Sequence, residues 1–432
     1  MIYKIFDKLN RLNFFPYYIV TPCSYGIGTA ADNILTALRK NYRSKKKIFL
    51  IIPNIFQNLL KYRVCNKSIF FGLNLSKFNF IEKIIYNFFF FIINFIFFFT
   101  RSFVLINDKL TKLKVKESLR FPDIGTTFKF NNKMRFDDIS LVHYDKIRNK
   151  FRIELRNNIQ KECGKKLKKI GIKRTDKIIC IHVRDGSYTK DPNRAEGFSG
   201  ARFRGIRNSS FNNYIKSINY LLKKNFWVIR MGHKVEHRIK IKHPRFIDYP
   251  YSKIKSDSMD LYLIKKSHFV ICTQSGLLSI ALLYNKPILQ TNAIRIFQSR
   301  SENKLSRTIF KIPFWKKNNK KINLKEYIKM PYFYHHFHYL DNEIGYKENS
   351  VDEIFKGTKE IVSLIKNKKS KMSRLQKKFN RFLIESFKKH YQSRDKEKSS
   401  SLSDLSHAFN LIASIKNGKN AYCDFFLKKY YN

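Results

Sequence analysis

One stretch of this chain, from Asp176 to Asn292, alternates short apolar runs with helical patterns and restricts the fold more than any other part. Helical patterns lie at 209–224, near Ser258 and after Gly276. The apolar runs between and beside them end at Val183, Gly232, Tyr249, Gly276 and Asn292. Strands that alternate with helices over short connections are typical of a doubly wound parallel sheet. We therefore expect an α/β domain here.

A second α/β pattern precedes it, between Tyr17 and Pro53. It reads as a strand, a glycine turn, a helix and a further strand, which predicts a βαβ unit. Gly26, Gly28 and Ala31 have the G-x-G-x-x-A spacing that lets a backbone approach a phosphate. No acidic residue follows the second strand to hold a ribose, so a dinucleotide site is not expected. The segment around Gly26 and Gly28 can be interpreted as a structural turn or as a ligand-binding loop.

The length of 432 residues allows two or three domains, and the hydrophobic fraction of 43% favours packed cores over disorder. Ser350 and Glu353 have the spacing of a capping box, which predicts a helix start. Apolar residues at helical spacing follow from Met372 to Phe387. We divide the chain into an N-terminal Rossmann-like domain (1–165), a second Rossmann-like domain (166–330) and a helical C-terminal extension (331–432).

The segment from Ile84 to Thr100 carries no charged residue and is rich in phenylalanine. Its length is at the lower limit for a helix that crosses a bilayer. Polar residues at helical spacing predict one narrow polar stripe, namely Lys83, Asn87, Asn94 and Arg101. A stripe of this kind suits a helix that lies on a bilayer, or one packed with a wet face, better than a spanning helix. All three arrangements remain open.

The formal net charge of +55 indicates attraction to polyanions, either an anionic membrane leaflet or nucleic acid. Biased composition is the favoured explanation, ahead of membrane attraction and nucleic-acid binding, because lysines are spread over the whole chain. No zinc-finger spacing or RNP-type aromatic motif supports specific nucleic-acid binding. The six cysteines include no C-x-x-C pair and fit a reducing cytoplasm. His335, His336 and His338 have no matched carboxylate or cysteine spacing, so no metal site is expected.

Polar residues follow two of the predicted strands. His182 and Arg184 alternate onto the same side at the end of one strand, where an arginine can form two hydrogen bonds with a phosphate. Thr273, Ser275 and Gly276 form a strand-to-helix turn, whose N–H groups and hydroxyls can also receive a phosphate. Two such sites on one sheet suggest a diphosphate ligand. Ordinary structural turns are the alternative.

Several segments resemble a family of bacterial glycosyltransferases encoded in surface-polysaccharide gene clusters. They read HVRDGSY, FRGIRNSSFNNYIKSINYLLKKNFWVIRMG, FIDYP and SMDLYLIKKSHFVICTQSGLLSIALLYNKP. Their order also looks like the donor domain of the fucosyltransferase superfamily, with its H-x-R strand end. Asp185 stands where that superfamily has a second arginine, which weakens the expectation of a fucose donor but not of a nucleotide sugar. The resemblance implies a GT-B-like fold with two facing Rossmann-like domains.

The resemblance also implies roles for particular residues. Arg184 would bind the donor diphosphate with His182 supporting its loop, and the turn at Thr273, Ser275 and Gly276 would hold the phosphates. Asp260 would face the nucleoside or order the preceding loop. The remaining cleft residues would be Arg207, Asn208 and Arg230.

Breaking a sugar–phosphate bond requires stabilisation of the leaving diphosphate, a role for Arg184, and a base for the acceptor hydroxyl. Asp185 is the first candidate base and Asp32 the second. The cleft strands have no D-x-D motif, so no catalytic metal and no cofactor beyond the nucleotide sugar are expected.

We therefore expect a glycosyltransferase that moves a sugar from a nucleotide-diphosphate donor, with GDP favoured, to a cell-surface glycan or lipid-linked acceptor. We expect it to be cytoplasmic and peripheral on the inner face of the cell membrane. A polyanion-binding protein on a degenerate α/β scaffold and an inactive glycan-binding relative are the alternatives.

Overall fold

The computed structural model of the chain describes two compact units. The described residues are 3–22, 26–42, 46–52, 55, 64–75, 77–110, 153–187, 205–294, 296–299, 303–330, 343–368, 371–392, 411–412, 414–416, 418–419 and 421–431. Those up to Cys163 belong to the first unit and those from Gly164 onward to the second. The division lies two residues before the boundary expected from the sequence.

The first unit is built around a short parallel sheet. Its elements are α1 (Tyr3–Leu9), β1 (Tyr17–Val20), α2 (Ile27–Lys40), β2 (Lys47–Leu50), α3 (Lys67–Phe71), β3 (Leu73–Asn74), α4 (Phe80–Leu110) and β4 (Glu154–Leu155). β1 and β2 pair in parallel on either side of α2 in sequence, which confirms the predicted βαβ unit. β3 and β4 pair antiparallel. Among the described residues of this unit, β1 and β2 make up its parallel sheet, and the long helix α4 follows them.

Two polar residues of that long helix, Asn94 and Arg101, lie on its inner side, whereas Lys83 and Asn87 are exposed. Asn94 and Arg101 are 1% and 2% exposed, whereas Phe91 and Phe103 are each 63% exposed. The Asn94 amide accepts a hydrogen bond from the Ile55 N–H at 3.1 Å and donates to its own helix at 2.9 Å. The expectation of a stripe facing water is therefore wrong for Asn94 and Arg101, since the fold uses them within its interior. Among the described residues, one segment, Phe80–Val104, is long and apolar enough to cross a membrane.

The second unit contains most of the regular structure. Its helices are the end of α5 (Asn157–Lys169), then α6 (Ile215–Lys223), α7 (Asp257–Lys266), α8 (Gly276–Leu283), α9 (Leu324–Lys329), α10 (Val351–Asn367), α11 (Arg374–Gln392) and α12 (Asp424–Tyr430). Its strands are β5 (Ile178–His182), β6 (Trp227–Arg230), β7 (Phe246–Asp248), β8 (Phe269–Cys272), β9 (Ile288–Ala293), β10 (Arg307–Phe310), β11 (Ile312–Trp315), β12 (Ile344–Lys347) and β13 (Ala421–Tyr422). Four-residue runs that are buried throughout make up β6, β8 and β10, as expected of interior strands.

Seven of these strands form one sheet in the order β13-β10-β9-β8-β5-β6-β7. Every pairing in it is parallel, so the predicted large parallel sheet is confirmed. The chain builds outward from β5 through β6 to β7, then returns to the other side of β5 as β8. This reversal is the point at which open α/β sheets have a crevice outside the carboxyl ends of their strands.

The C-terminal region contributes strands as well as helices. β12 pairs antiparallel with β11, and β13 is hydrogen-bonded to β10 at the edge of the main sheet. The helical extension expected over 331–432 thus also includes two short strands among its described residues. Local periodicity identifies the helices but not a two-residue strand that forms only by long-range pairing. The capping box at Ser350 and Glu353 is confirmed, with both reciprocal hydrogen bonds present.

The residues after β13 are expected to stabilise the second unit strongly. Phe426 is 0% exposed, and its ring lies 6.2 Å from that of Phe310 and 4.7 Å from that of Tyr430. Phe426→Ala should lower the free energy of unfolding by about 3–5 kcal/mol, because it leaves a cavity in the core. The neighbouring half-buried ring of Phe425 provides a matched control, Phe425→Ala, with a clearly smaller loss. Guanidinium unfolding measures both, and equal losses would contradict this packing.

Candidate functional site

The ends of β5 and β8 are joined beyond the sheet by side-chain and backbone hydrogen bonds. His182 is the register partner of Cys272, and its carbonyl accepts from the Thr273 N–H at 3.1 Å. The Arg184 N–H in turn donates to Thr273 Oγ1 at 3.0 Å. Thr273 is completely buried, so its hydroxyl serves this connection. The structure therefore brings the two predicted motifs together at the sheet reversal.

Arg184 is held by the segment that returns to the end of β5. Its Nε donates to Asn208 Oδ1 at 3.1 Å, and its carbonyl accepts from the Ser209 N–H at 2.8 Å. Gly186 lies beside them with φ of +88°, and a Cβ at that position would come within 2.5 Å of Asn208 Nδ2. Glycine is required there for both reasons. Arg207 ends the short 3-10 turn 205–207 that leads into Asn208.

A second cation, Lys311, supports the same segment. Its Nζ donates to the Asn208 carbonyl at 2.6 Å, and the residue is 5% exposed. Burial lowers the pKa of the Lys311 ammonium, while Glu348, 3.9 Å away, raises it. Lys311 follows β10 and was not predicted from the sequence, because nothing local distinguishes it from the many other lysines of the chain.

Four buried polar atoms near these strand ends have no hydrogen-bond partner in the described part of the protein. They are His182 Nδ1, Ser209 Oγ, Gln274 Oε1 and Ser275 Oγ. An unsatisfied buried polar atom costs about 1–3 kcal/mol, so several in one neighbourhood call for an explanation. A bound ligand that supplies both donors and acceptors would satisfy them. Ser209 and Gln274 were missed by the sequence analysis, although each adjoins a residue that it named.

The imidazole of His182 is neutral at physiological pH. Burial lowers its pKa to about 4, with Arg184 and Arg230 lowering it further and Asp185 opposing them. A neutral imidazole offers one N–H and one acceptor lone pair. His182 can therefore donate to or accept from a ligand, but it does not add a positive charge to the site.

The N-terminus of α8 opens onto the same edge. Ser275 is its N-cap residue and Gly276 its first residue, yet the Ser275 side chain makes no capping hydrogen bond. By contrast, the N-cap serines of α7 and α10, Ser256 and Ser350, both cap their helices. Free N–H groups at a helix start carry a partial positive charge and favour anions. The predicted strand-to-helix turn is thus present, and the Ser275 side chain does not cap the helix.

The predicted site residue Arg230 holds neighbouring strands together. Arg230 is 4% exposed, and its Nη1 donates to Asp248 Oδ1 at 3.2 Å and to the His237 carbonyl at 2.6 Å. Its guanidinium also stacks 4.5 Å from the centre of the Phe211 ring. These contacts tie β6 to β7 and to the loop between them.

Asp185 joins two loops. Its Oδ1 accepts from the Ser187 N–H at 3.0 Å and its Oδ2 from the Glu236 N–H at 2.8 Å. Each oxygen keeps a second lone pair, so the carboxylate can still accept a further hydrogen bond.

Asp260 orders the connection between β7 and α7. Its Oδ1 accepts from the Tyr249 hydroxyl at 2.6 Å, and that hydroxyl accepts from the Ser256 N–H at 3.1 Å. Of its two predicted roles, the geometry supports the ordering of the preceding loop. Burial raises the pKa of the Asp260 carboxyl to about 7, against the effect of the Tyr249 hydrogen bond.

The glycine motif lies in the first unit. Gly26 is the N-cap of α2 with φ of −138°, an extended conformation that any residue adopts, and Gly28 lies in the first turn of the helix. The preceding residues 23–25 lie outside the described residues. Asp32 also belongs to α2. Nothing in the described backbone of this turn requires glycine at position 26.

No cluster of three or more His, Cys, Asp or Glu residues that could hold a metal ion occurs among the residues described. His335, His336 and His338 lie outside that part of the chain.

Comparison with known proteins finds only weak similarity. No family model matches the chain, and no curated protein matches it. One similar solved structure is the glycosyl transferase family 9 protein from Veillonella parvula DSM 2008, at 12% sequence identity and a TM-score of 0.31. The match covers 64% of this chain and 80% of that one. A superposition this weak carries no argument about function.

Removing an unpartnered hydroxyl should leave the unliganded protein at least as stable as before. We expect Ser275→Ala to change the free energy of unfolding by zero to about +2 kcal/mol while weakening the binding of inorganic pyrophosphate. Ser267→Ala is the matched control, because Ser267 Oγ donates to the Ile264 carbonyl at 2.8 Å and its loss should destabilise by about 1 kcal/mol. Thermal unfolding and calorimetry measure both, and a similar destabilisation by the two variants would count against an open cap.

The raised pKa of Asp260 predicts a pH dependence. The native state keeps the proton between about pH 4 and 7 while the unfolded state has lost it, so this contribution to stability is full below pH 4 and lost as pH rises through 7. Asp260→Asn stays neutral at every pH, so its melting temperature should rise relative to wild type between pH 5 and 8. The exposed Glu326→Gln serves as control and should show no such trend. A pH-independent difference for Asp260→Asn would show that the carboxyl is ionised in the fold.

Proposed function

We propose that the residues after the carboxyl ends of β5 and β8 (the β5–β8 edge) bind the diphosphate of a nucleotide sugar. We propose further that the protein is a glycosyltransferase. The observation that carries this proposal is the group of four unpartnered polar atoms around Arg184 and the open N-terminus of α8. The arginine and the helix start suit phosphate oxygens. The acceptor Gln274 Oε1 suits a hydroxyl or N–H donor, which a nucleotide sugar carries and a bare phosphate chain at neutral pH lacks.

The same groups would act on the leaving group. When the bond between the anomeric carbon and the phosphate oxygen breaks, its electron pair moves to the diphosphate. The Arg184 guanidinium, the α8 N–H groups and the Ser275 hydroxyl would stabilise that negative charge as it develops. The acceptor oxygen forms the new bond to the anomeric carbon and gives its proton to a base. Asp185 remains our first candidate and Asp32 the second.

The proposed identity of the donor, the acceptor and the metal requirement rests on the sequence resemblance. These are a GDP-sugar as the favoured donor, a cell-surface glycan or lipid-linked acceptor, and a reaction without a catalytic metal. Arg207 and Asn208 would line the donor site, where Asn208 already orients Arg184. His182 would contribute a neutral hydrogen-bonding group beside the phosphates.

A polyanion-binding role is the second candidate, and the net charge of +55 favours it. Nucleic acid binds to exposed basic surfaces, however, and the unpartnered atoms at the β5–β8 edge are buried. Buried groups of mixed donor and acceptor character suit a small ligand that enters a pocket. The site therefore favours the nucleotide sugar.

Arg184→Ala should remove most of the affinity for the correct donor. Wild-type protein, Arg184→Ala and Arg174→Ala are titrated calorimetrically with GDP-, UDP-, dTDP-, ADP- and CMP-sugars. Arg174 is a matched control because it is exposed near the amino end of β5, the opposite end of the same strand. We expect one diphosphate donor to bind wild type and Arg174→Ala alike and to lose about 10- to 100-fold in affinity for Arg184→Ala.

CMP-sugars carry one phosphate and provide the internal test of a diphosphate site. If CMP-sugars bind as tightly as the diphosphate donors, the site does not recognise a diphosphate. If Arg184→Ala binds the donor as tightly as wild type, the residues around Arg184 are not the donor site. If no sugar nucleotide binds while oligonucleotides bind with a steep salt dependence, the polyanion role takes its place.

A further inference from the structure

The outer face of α4 presents one continuous apolar stripe to solvent. The residues of this outer stripe are Ile84, Phe88, Phe91, Phe95, Phe99, Phe103 and Ile106, each between 54% and 63% exposed. Successive members are three or four residues apart, which places them on one side of an α-helix. The stripe spans roughly 33 Å at 1.5 Å per residue. Soluble proteins rarely expose an uninterrupted apolar surface of that extent.

The opposite face of α4 belongs to the core of the first unit. Ile93 is completely buried with Phe49 and Ile51, and the Tyr86 hydroxyl donates to the Leu50 carbonyl at 3.0 Å. Asn94 and Arg101 are also turned inward. A helix on the surface of a water-soluble protein usually turns polar residues outward opposite its buried apolar face. α4 has the buried apolar face, with Ile93 and Phe97, but its opposite side carries the outer stripe, which suits an apolar medium there.

Electrostatics distinguishes a bilayer from a second copy of the chain as the occupant. Two molecules of net charge +55 repel one another, which opposes pairing through the stripe. An anionic leaflet attracts the same charge. Lys77 and Lys83, both exposed, lie at the start of the helix, where they can reach lipid phosphates beside the inserted rings.

The packing of the inner face decides between a helix that crosses the bilayer and one that lies along it. β1 and β2 pair only with each other among the described strands, and an open sheet edge is not tolerated in hydrocarbon. Lys47 on β2 also forms an ion pair with Glu82 of α4. Both features require an aqueous environment next to the inner face of the helix.

We propose that α4 lies in the plane of an anionic membrane and inserts the outer stripe into the interface between headgroups and acyl chains, while the rest of the first unit stays in water. The depth of a helix in this position is about 5–10 Å on its apolar side. This interaction is independent of the donor site, so either proposal can fail without the other.

Vesicle flotation of the purified full-length protein tests the proposal. The variant Phe91→Ser/Phe95→Ser/Phe99→Ser removes the centre of the outer stripe. The matched control Phe14→Ser/Ile170→Ser/Val351→Ser removes three exposed apolar side chains outside α4. Vesicles of phosphatidylcholine alone are compared with vesicles containing 30% phosphatidylglycerol.

We expect wild type and control to bind the anionic vesicles, and the stripe variant to bind roughly tenfold or more weakly. Binding to neutral vesicles should be weaker for every form. The melting temperature of the stripe variant should stay close to that of wild type, because exposed side chains contribute little to folding. Affinity for a sugar nucleotide should also be unchanged.

Three results would overturn the proposal. Equal vesicle binding by the stripe variant would exclude the stripe as the contact. A wild-type dimer in solution that the stripe variant abolishes, without vesicle binding, would make the stripe an interface between copies. Wild-type protein that resists alkaline carbonate extraction from cell membranes would show a spanning helix.

Discussion

Backbone hydrogen bonds pair β5 with β8 from Ile179 to His182, at the place where the chain crosses from one half of the parallel sheet to the other. All strands of such a sheet end at one edge, so this pairing puts the residues after His182 beside those after Cys272. The hydroxyl of Thr273 extends the join onto the Arg184 backbone. The orientation of Arg184, the position of the α8 N-terminus and the return of the 205–209 segment all depend on this contact.

The fold is predictable wherever apolar periodicity is local. β5, β8, α7 and the capping box at Ser350 lie where the patterns indicate, because each depends on residues that are neighbours in sequence. Strand order and the participation of β13 depend on pairing between distant segments, which no local pattern encodes. The inward position of Asn94 and Arg101 on α4 was not predicted for a related reason. Its helical spacing shows which residues share a face, but only packing shows which face is inside.

The candidate site was likewise predictable in part from the sequence. The convergence of the His182 and Ser275 motifs follows from the rule that parallel strands end at one edge. Arg184 and Arg230 look alike in the sequence, since each comes at or just after the end of an apolar strand. Asp248 on the adjacent strand neutralises Arg230, whereas Arg184 is oriented by an uncharged amide. The sequence does not distinguish these two environments, because they depend on contacts between distant segments.

The edge strand β13 also affects the folding of the protein during its synthesis. It pairs with β10 although more than a hundred residues separate them, whereas β9 and β10 are close in sequence. Closing so long a loop is slower than pairing consecutive strands. While the ribosome synthesises the intervening residues, the outer edge of β10 lacks this strand, and an open edge is a template for pairing with other chains. Soluble yield should therefore depend on chaperone protection during that interval more than on the stability of the finished fold.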